Sequence, residues 1–134
     1  TLTIRTSIIG REIDRKIGLL EWILNQNYNV VNGYENFIFS GLTTYALSDL
    51  IKNTIFNNFT PGLMHISSDP ISKYILLNKI KSVFKLDIKI RKSELPICDR
   101  SLDSSYFQDI YDYKVKSWDE MINQAYILSQ NYSK

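Results

Sequence analysis

Apolar and polar residues follow two different periods along the chain, and the two periods alternate. Short apolar runs or strict alternation predict β-strands, whereas apolar residues spaced three and four positions apart predict helices. The predicted strands lie at residues 2–9, 30–31, 37–39, 63–66 and 88–91. The predicted helices lie at residues 17–26, 44–57, 70–85, 103–110 and 118–130. Strands and helices that alternate in this way indicate an α/β fold.

Residues with strong local preferences mark where several helices begin. The threonine pair 43–44 can cap the helix that follows it, and Ser117 with Glu120 has the spacing of a capping box. The run 68–70 places an N-cap candidate directly before a proline, whose missing N–H costs nothing in the first turn of a helix. We therefore predict a helix that begins at Pro70.

The dipeptide Asn32-Gly33 lies between the two short apolar runs 30–31 and 37–39. Asn and Gly adopt the positive φ of a tight turn more readily than other residues. An Asn-Gly pair between two strand-like runs is also a strong hairpin signal. We therefore predict a β-hairpin at this point of the chain.

Composition indicates a single domain that spans residues 1–134. Of the 134 residues, 44% are hydrophobic, so the chain can bury one substantial core but not two. One cysteine and one histidine cannot form an internal disulfide or a zinc site built from N and S ligands, and we predict no metal. No apolar run approaches the roughly 20 residues that cross a bilayer, and the first residues lack the order of a signal peptide. We expect a cytoplasmic protein with no membrane partner.

The charge balance gives little reason to expect nucleic acid as a partner. Lys and Arg number 16 against 14 Asp and Glu, and the net charge is +2. A basic stretch runs from Lys73 to Lys92, and it is the best nucleic-acid candidate in the sequence. Lys81 and Lys85 share one face of the predicted helix, so a solvated helix face is the simpler interpretation. A nucleic-acid-binding α/β module stays open as an alternative.

Residue patterns of several catalytic sites are missing from the sequence. The five glycines are too far apart to form a Gly-rich phosphate loop, and no tyrosine is followed four residues later by a lysine. Any Ser-His-Asp triad would depend on His65, which we interpret as a packed strand residue that hydrogen-bonds to the backbone. Cys98 is most simply a small, partly buried hydrophobe. We therefore assign no catalytic residue to this chain.

The stretch 99–104 carries the most informative local chemistry. Arg100 lies in an irregular polar segment just ahead of the helix predicted at 103–110. A guanidinium fork beside free backbone N–H groups suits a phosphate. In the alternative interpretation, Asp99 pairs with Arg100 on the surface and Asp103 is an ordinary N-cap. Local chemistry leaves both interpretations open.

Five short segments, taken in order, resemble a known enzyme family. They are residues 5–10 (RTSIIG), 40–44 (SGLTT), 62–67 (GLMHIS), 99–104 (DRSLDS) and 117–121 (SWDEM). Together they resemble the C-terminal, substrate-side portion of extended short-chain dehydrogenase/reductases, closest to dTDP-4-dehydrorhamnose reductases and NAD-dependent nucleotide-sugar epimerases. The resemblance covers almost the whole chain. It implies a small mixed sheet with flanking helices, the C-terminal part of a Rossmann-type reductase that lacks its cofactor-binding half.

The resemblance also implies roles for four residues. In this family the strand end that matches Thr6 and Ser7 lies beside the nicotinamide, so both are candidate neighbours of NAD(P)H in the intact enzyme. Arg11 lies in the segment that reaches the substrate, and Arg100 matches an arginine that often meets the substrate's phosphates. Both arginines are therefore candidate substrate-binding residues. The implied substrate is a nucleotide-diphosphate sugar, and the implied process is the synthesis of surface polysaccharide sugars.

A parent enzyme with an upstream Rossmann half would account for what this sequence lacks. The family's Gly-rich loop and Tyr/Lys pair do not occur here, and the chain opens without Met. We expect a segment of a longer polypeptide that by itself binds no cofactor and transfers no hydride. A non-catalytic binding or regulatory module of the same fold is the alternative. An apolar face with Trp22 or Phe39 in it, normally covered by the Rossmann half, would allow a homodimer.

Overall fold

Strands and helices alternate along the chain, as the residue pattern predicts. The computed structural model describes residues 1–15 and 17–130. The strands are β1 (Leu2–Arg5), β2 (Ile8–Ile9), β3 (Val30–Tyr34), β4 (Phe37–Phe39), β5 (Leu42–Thr43), β6 (Gly62–His65), β7 (Ile71–Ser72), β8 (Lys89–Ser93) and β9 (Cys98–Asp99). The helices are α1 (Leu19–Leu24), α2 (Thr44–Leu50), α3 (Lys73–Phe84), α4 (Ser105–Tyr111) and α5 (Trp118–Ser129), and a π-helical turn, Ile51–Ile55, continues α2. The predicted α/β class is confirmed.

Most strand pairs are parallel and join segments that are far apart in sequence. β1 pairs with β6, which sets Arg5 opposite His65, and β3 pairs with β8. β2 pairs with β5 over two residues. β4 lies between β7, which is antiparallel to it, and β9, which is parallel. Parallel pairs need long crossover connections, and here the crossovers contain the helices that flank these small mixed sheets.

The hairpin predicted around Asn32-Gly33 is wrong. Both residues lie inside β3, and β3 does not pair with β4 among the residues that the structure describes. The turn is formed by residues 35–36 instead. Glycine at position 33 has another use: a Cβ atom there would lie 2.7 Å from Cδ2 of Tyr74 and 2.8 Å from Cγ2 of Ile90. The missing side chain lets α3 and β8 approach β3 closely.

Two of the predicted helix caps are confirmed. The hydroxyl of Thr43 accepts a hydrogen bond from the backbone N–H of Ala46 at 3.2 Å. The hydroxyl of Ser117 accepts one from the N–H of Glu120, also at 3.2 Å. Each bond satisfies a donor that the first turn of a helix cannot pair internally.

The helix predicted to begin at Pro70 begins three residues later, at Lys73. Ile71 and Ser72 are extended and form β7 against β4. The hydroxyl of Ser72 then caps α3 by accepting a hydrogen bond from the N–H of Ile75 at 3.1 Å. Tertiary strand pairing therefore overrides the local helix-start signal of the proline, and it sets Lys73 at the first helical position.

One cluster of buried apolar side chains runs through the described part of the chain, and every helix contributes to it. Its most completely buried large members are Leu20, Ile23, Leu42, Leu50, Met64, Ile66, Leu76, Ile80, Phe107, Met121 and Ile122. Within residues 1–15 and 17–130, no helix combines the length and apolar character needed to cross a membrane. The single cluster agrees with the composition, which allows one core.

We predict that Gly33→Ala lowers the free energy of unfolding by about 1–3 kcal/mol, because the added methyl group collides with Tyr74 and Ile90 in a packed interior. Chemical denaturation measures this loss. The matched control is Asn32→Ala at the neighbouring exposed position of β3, which we expect to change stability by less than about 0.5 kcal/mol. Equal stability of the two variants would contradict the close approach at position 33.

Candidate functional site

Four buried serines form a hydrogen-bonded group just beyond the carboxyl end of β6. We call Ser40, Ser67, Ser68 and Ser104 the serine cluster; none is more than 7% exposed. The hydroxyl of Ser68 donates to the C=O of Gly41 at 2.6 Å, and the hydroxyl of Ser67 donates to the C=O of Leu102 at 2.7 Å. The serine cluster therefore joins three segments that are distant in sequence.

The serine cluster holds segment 99–104 in place from both sides of its loop. The N–H of Leu102 donates to the hydroxyl of Ser40 at 2.8 Å, and the hydroxyl of Ser104 donates to the C=O of Ser67 at 3.2 Å. The N–H of Arg100 donates to the C=O of Ile38 at 3.0 Å. Buried polar groups that lose such partners cost about 1–3 kcal/mol each. The backbone that carries Arg100 is thus strongly positioned.

Thr6 and Ser7, the predicted cofactor neighbours, lie between β1 and β2. Thr6 is half-buried and Ser7 is exposed. The C=O of Ser7 accepts a hydrogen bond from the N–H of Leu42 at 2.8 Å, and a Cβ atom at Gly41 would lie 2.5 Å from that oxygen. Ligands of open α/β sheets bind beyond the carboxyl ends of the parallel strands, and both hydroxyls lie at such an end.

Arg11, a predicted substrate-binding residue, contacts a buried carboxylate. Its Nε lies 2.6 Å from Oε1 of Glu21, whose side chain is only 3% exposed. The N–H of Glu12 donates to the same oxygen at 2.9 Å. The carboxylate of Glu12 accepts hydrogen bonds from the N–H groups of Ile17 and Gly18. These bonds fasten the segment after β2 to the start of α1, and a substrate-binding role for Arg11 stays a prediction.

Two cations, Lys73 and Arg100, lie near the ring of Phe37. The distance to the ring centroid is 3.9 Å from Nζ of Lys73 and 5.4 Å from Cζ of Arg100. Burial lowers the pKa of the Lys73 ammonium and the Arg100 guanidinium lowers it further, while Cys98 acts in the opposite direction. Cys98 is half-buried, which confirms its predicted environment.

The predicted surface pair between Asp99 and Arg100 does not form within the described residues. Oδ1 of Asp99 instead accepts hydrogen bonds from the hydroxyl of Ser101 at 2.6 Å and from its N–H at 2.8 Å. These bonds lower the pKa of Asp99. Asp103 accepts from the hydroxyl and N–H of Ser105, the first residue of α4, and its pKa is lowered for the same reason. Asp103 therefore satisfies a helix-start donor, but the N-cap position itself is Ser104, one residue later than predicted.

His65 and the basic stretch have simple environments. His65 is half-buried in β6, but its ring makes no hydrogen bond to any described residue, so the predicted backbone bond is wrong. Nζ of Lys79 lies 2.7 Å from Asp119, and Nζ of Lys92 lies 2.9 Å from Glu35. Lys85, Lys89, Arg91 and Lys92 are exposed, and Lys79 and Lys81 are half-buried, so these basic residues are mostly solvated helix and strand positions.

Two grooves lie on the surface near Lys73 and near the serine cluster. One, of about 400 Å³, is lined by residues that include Trp22, Tyr34 and Lys73. The other, of about 450 Å³, runs between the serine cluster and α4. Trp22 is 39% exposed, whereas the ring of Phe39 packs 5.8 Å from that of Trp118. Of the two aromatic residues expected on an open apolar face, Trp22 is the more accessible.

The chain is similar to solved structures although no family model and no curated protein matches its sequence. dTDP-4-dehydrorhamnose reductase from Bacillus anthracis str. Ames, in complex with NADP, matches with a TM-score of 0.79 and 14% identity, over 96% of this chain and 48% of that one. A dTDP-4-dehydrorhamnose reductase from Clostridium acetobutylicum ATCC 824 matches with a TM-score of 0.76 and 15% identity, over 96% of this chain and 49% of that one. UDP-N-acetylglucosamine 4-epimerase from Bacillus cereus matches with a TM-score of 0.69 and 14% identity, over 95% of this chain and 45% of that one.

This chain has the fold of part of a nucleotide-sugar reductase or epimerase. The resemblance carried by the five sequence segments is confirmed at the level of the fold. The chain spans about half the length of each matched reductase or epimerase structure. In the sequence, Ser40, Ser67 and Ser104 stand out only as members of the five resembling segments, and Ser68 only as part of the run 68–70. Their role in holding segment 99–104 in place was not predicted. The signal that could have found it is the Ser-Ser pair that directly follows the strand predicted at 63–66.

We predict that Arg11→Met destabilises this reductase-like fold by about 3 kcal/mol, because it removes the Arg11 guanidinium from the buried Glu21 carboxylate. The matched control is Lys79→Met, which removes an ion pair to the well-exposed Asp119 and should cost less than about 1 kcal/mol. Urea denaturation of both variants gives the comparison. A loss at Arg11 no larger than at Lys79 would show that Arg11 has no structural role.

We predict that Ser101→Ala raises the pKa of Asp99 toward its ordinary value of 3.8, because the Ser101 hydroxyl bond is the largest cause of the lowering. A lowered native-state pKa means that this bond stabilises the fold above pH 3.8 and that the contribution is lost as the pH falls through the lowered pKa. Carboxyl NMR titration measures the shift.

Ser105→Ala is the reciprocal control for this titration. It should raise the pKa of Asp103 and leave that of Asp99 unchanged, since Ser105 bonds to Asp103 alone of the two. If either variant shifted the pKa values of both Asp99 and Asp103, the conformation of the whole segment would have changed. That result would contradict the local hydrogen-bond explanation.

Proposed function

We propose that residues 1–134 form the nucleotide-sugar-binding, C-terminal domain of an NAD(P)-dependent sugar reductase or epimerase, similar to dTDP-4-dehydrorhamnose reductase and active in surface polysaccharide sugar synthesis. The observation that carries the proposal is the match of 96% of this chain to about half of a reductase structure at a TM-score of 0.79. The proposed location is cytoplasmic, with no nucleic-acid or membrane partner. A homodimer through the face that contains Trp22 is part of the same proposal.

The free edge of β1 supports a Rossmann half as the partner of this domain. In the described part of the chain, β1 pairs only with β6, and the two strands are parallel. Parallel sheets are normally covered on both faces. Leu63 of β6 is 49% exposed, so one face of this pair is accessible. Further strands beside β1 would extend the sheet and cover this surface.

The cofactor proposed for the parent enzyme is NAD(P)H, which supplies a hydride when bound. Thr6 and Ser7 fit a position beside the nicotinamide, because their hydroxyls lie beyond the carboxyl end of β1. Thr6 is half-buried and its hydroxyl is 3.4 Å from the C=O of Ser7, so its position is partly held. The sequence has no Gly-rich loop for the pyrophosphate, and this chain alone is proposed to bind no cofactor and to be inactive.

The proposed substrate is a nucleotide-diphosphate sugar, and Arg100 is its principal phosphate-binding residue. The Arg100 side chain is exposed, and Asp99 is occupied by Ser101. The backbone around Arg100 is held by Ile38 and by the serine cluster, so its guanidinium projects from a fixed point. A planar fork suits bidentate binding of phosphate oxygens. Arg11 is proposed as a second, more peripheral substrate residue.

We predict that the chain binds dTDP and that Arg100→Met weakens this binding at least about tenfold, as expected for a lost charged hydrogen bond. Isothermal titration calorimetry gives the dissociation constants. Arg91→Met is the matched control, since Arg91 is exposed on β8 and contacts Asn32. NADPH oxidation with a 4-keto nucleotide-sugar should be undetectable for the 134-residue chain. Hydride transfer by this chain, or an equal loss in both variants, would overturn the proposal.

A further inference from the structure

The three-stranded group β7-β4-β9 brings Lys73 and Arg100 to the same aromatic ring. In β4, Phe37 lies opposite Cys98 of β9, which is two residues before Arg100. The next residue, Ile38, lies opposite Ser72 of β7, which directly precedes Lys73. The strand register on both sides of β4 therefore fixes the backbone positions of Lys73 and Arg100 beside β4. From these positions both side chains approach the ring of Phe37.

Neither cation has an anionic partner among the described residues. The ion pairs in that part of the chain join Arg11 to Glu21, Lys79 to Asp119, Lys92 to Glu35 and Lys116 to Asp49. Asp99, the carboxylate nearest to Arg100 in sequence, accepts its hydrogen bonds from Ser101. The guanidinium of Arg100 is near enough to disfavour the positive charge of Lys73, and a bound anion would offset that repulsion.

The two side chains offer complementary ways of binding a phosphate group. An arginine presents a planar fork that can bind two oxygens, whereas a lysine presents a compact point charge. The ring of Phe37 supports the lysine through a cation–π contact at 3.9 Å and fixes its position without neutralising it. Burial and the nearby guanidinium both disfavour the charged form of Lys73, which an anion would restore.

We propose that Lys73 and Arg100 form a two-cation site that binds the phosphate groups of the ligand, with Lys73 as the second phosphate-binding residue. This inference deepens the proposed function and rests on it for the identity of the ligand. The chemistry itself requires only a polyphosphate oxyanion. Lys73 belongs to the basic stretch 73–92, and its contact with Phe37 separates it from the other lysines of α3.

The test measures binding of inorganic pyrophosphate to the 134-residue chain by isothermal titration calorimetry. We expect Lys73→Met and Arg100→Met each to weaken binding at least about tenfold, as for the loss of a charged hydrogen bond. Lys73→Arg keeps the charge and should retain most of the affinity. Lys81→Met, on the same helix, is the matched control for net charge and should change affinity less than about twofold. Circular dichroism verifies that each variant is folded.

The outcomes separate this inference from the function that it deepens. Pyrophosphate binding that needs both cations, together with no binding of dTDP-sugars, would support the two-cation site and count against the nucleotide-sugar assignment. Binding of dTDP-sugars that Arg100→Met weakens and Lys73→Met does not would overturn the role of Lys73 and leave the proposed function standing. Equal losses for Lys73→Met and Lys81→Met, or no pyrophosphate binding by the unmodified chain, would also overturn the two-cation site.

Discussion

The hydrogen bonds of the buried serine cluster are the constraint on which the proposed site depends. Ser40, Ser67, Ser68 and Ser104 are buried, and their hydroxyls hydrogen-bond to main-chain groups of other segments. A buried hydroxyl without a partner costs about 1–3 kcal/mol, so each of these bonds opposes movement of the segment that it holds. Segment 99–104 has no helix or long strand of its own, and it keeps its place through these contacts.

Backbone hydrogen bonds of this kind also explain how exposed functional side chains can keep well-defined positions. Thr6, Ser7 and Arg100 have accessible or half-buried side chains, yet the backbone at Ser7 and Arg100 is tied to Leu42 and Ile38. Exposed side chains on a fixed backbone lose less entropy on binding than side chains of a mobile loop. Lys73 reaches the proposed phosphate site by another route: it is the first residue of α3, and β7, which pairs with β4, ends at the preceding residue and so sets Lys73 beside Phe37.

Local signals predicted what local physics controls and failed where distant segments compete. The caps at Thr43 and Ser117 were predictable because each bond lies within one turn of chain. The hairpin at Asn32-Gly33 and the helix start at Pro70 were not, because β3 pairs with β8 and β7 pairs with β4. The same holds for the site. Arg100 could be selected from the sequence, but its separation from Asp99 depends on the two bonds from Ser101.

The sequence by itself determined the α/β class, most helix positions, the single core and the motifs that resemble nucleotide-sugar reductases. These properties depend on hydrophobic period, residue size and short-range capping, which a linear pattern records. Only the tertiary structure decided that four serines join three segments, that Gly33 is a point of close packing, and that Lys73 and Arg100 meet at Phe37. Each of these depends on register between strands far apart in sequence, and register is set by the packing of the whole chain.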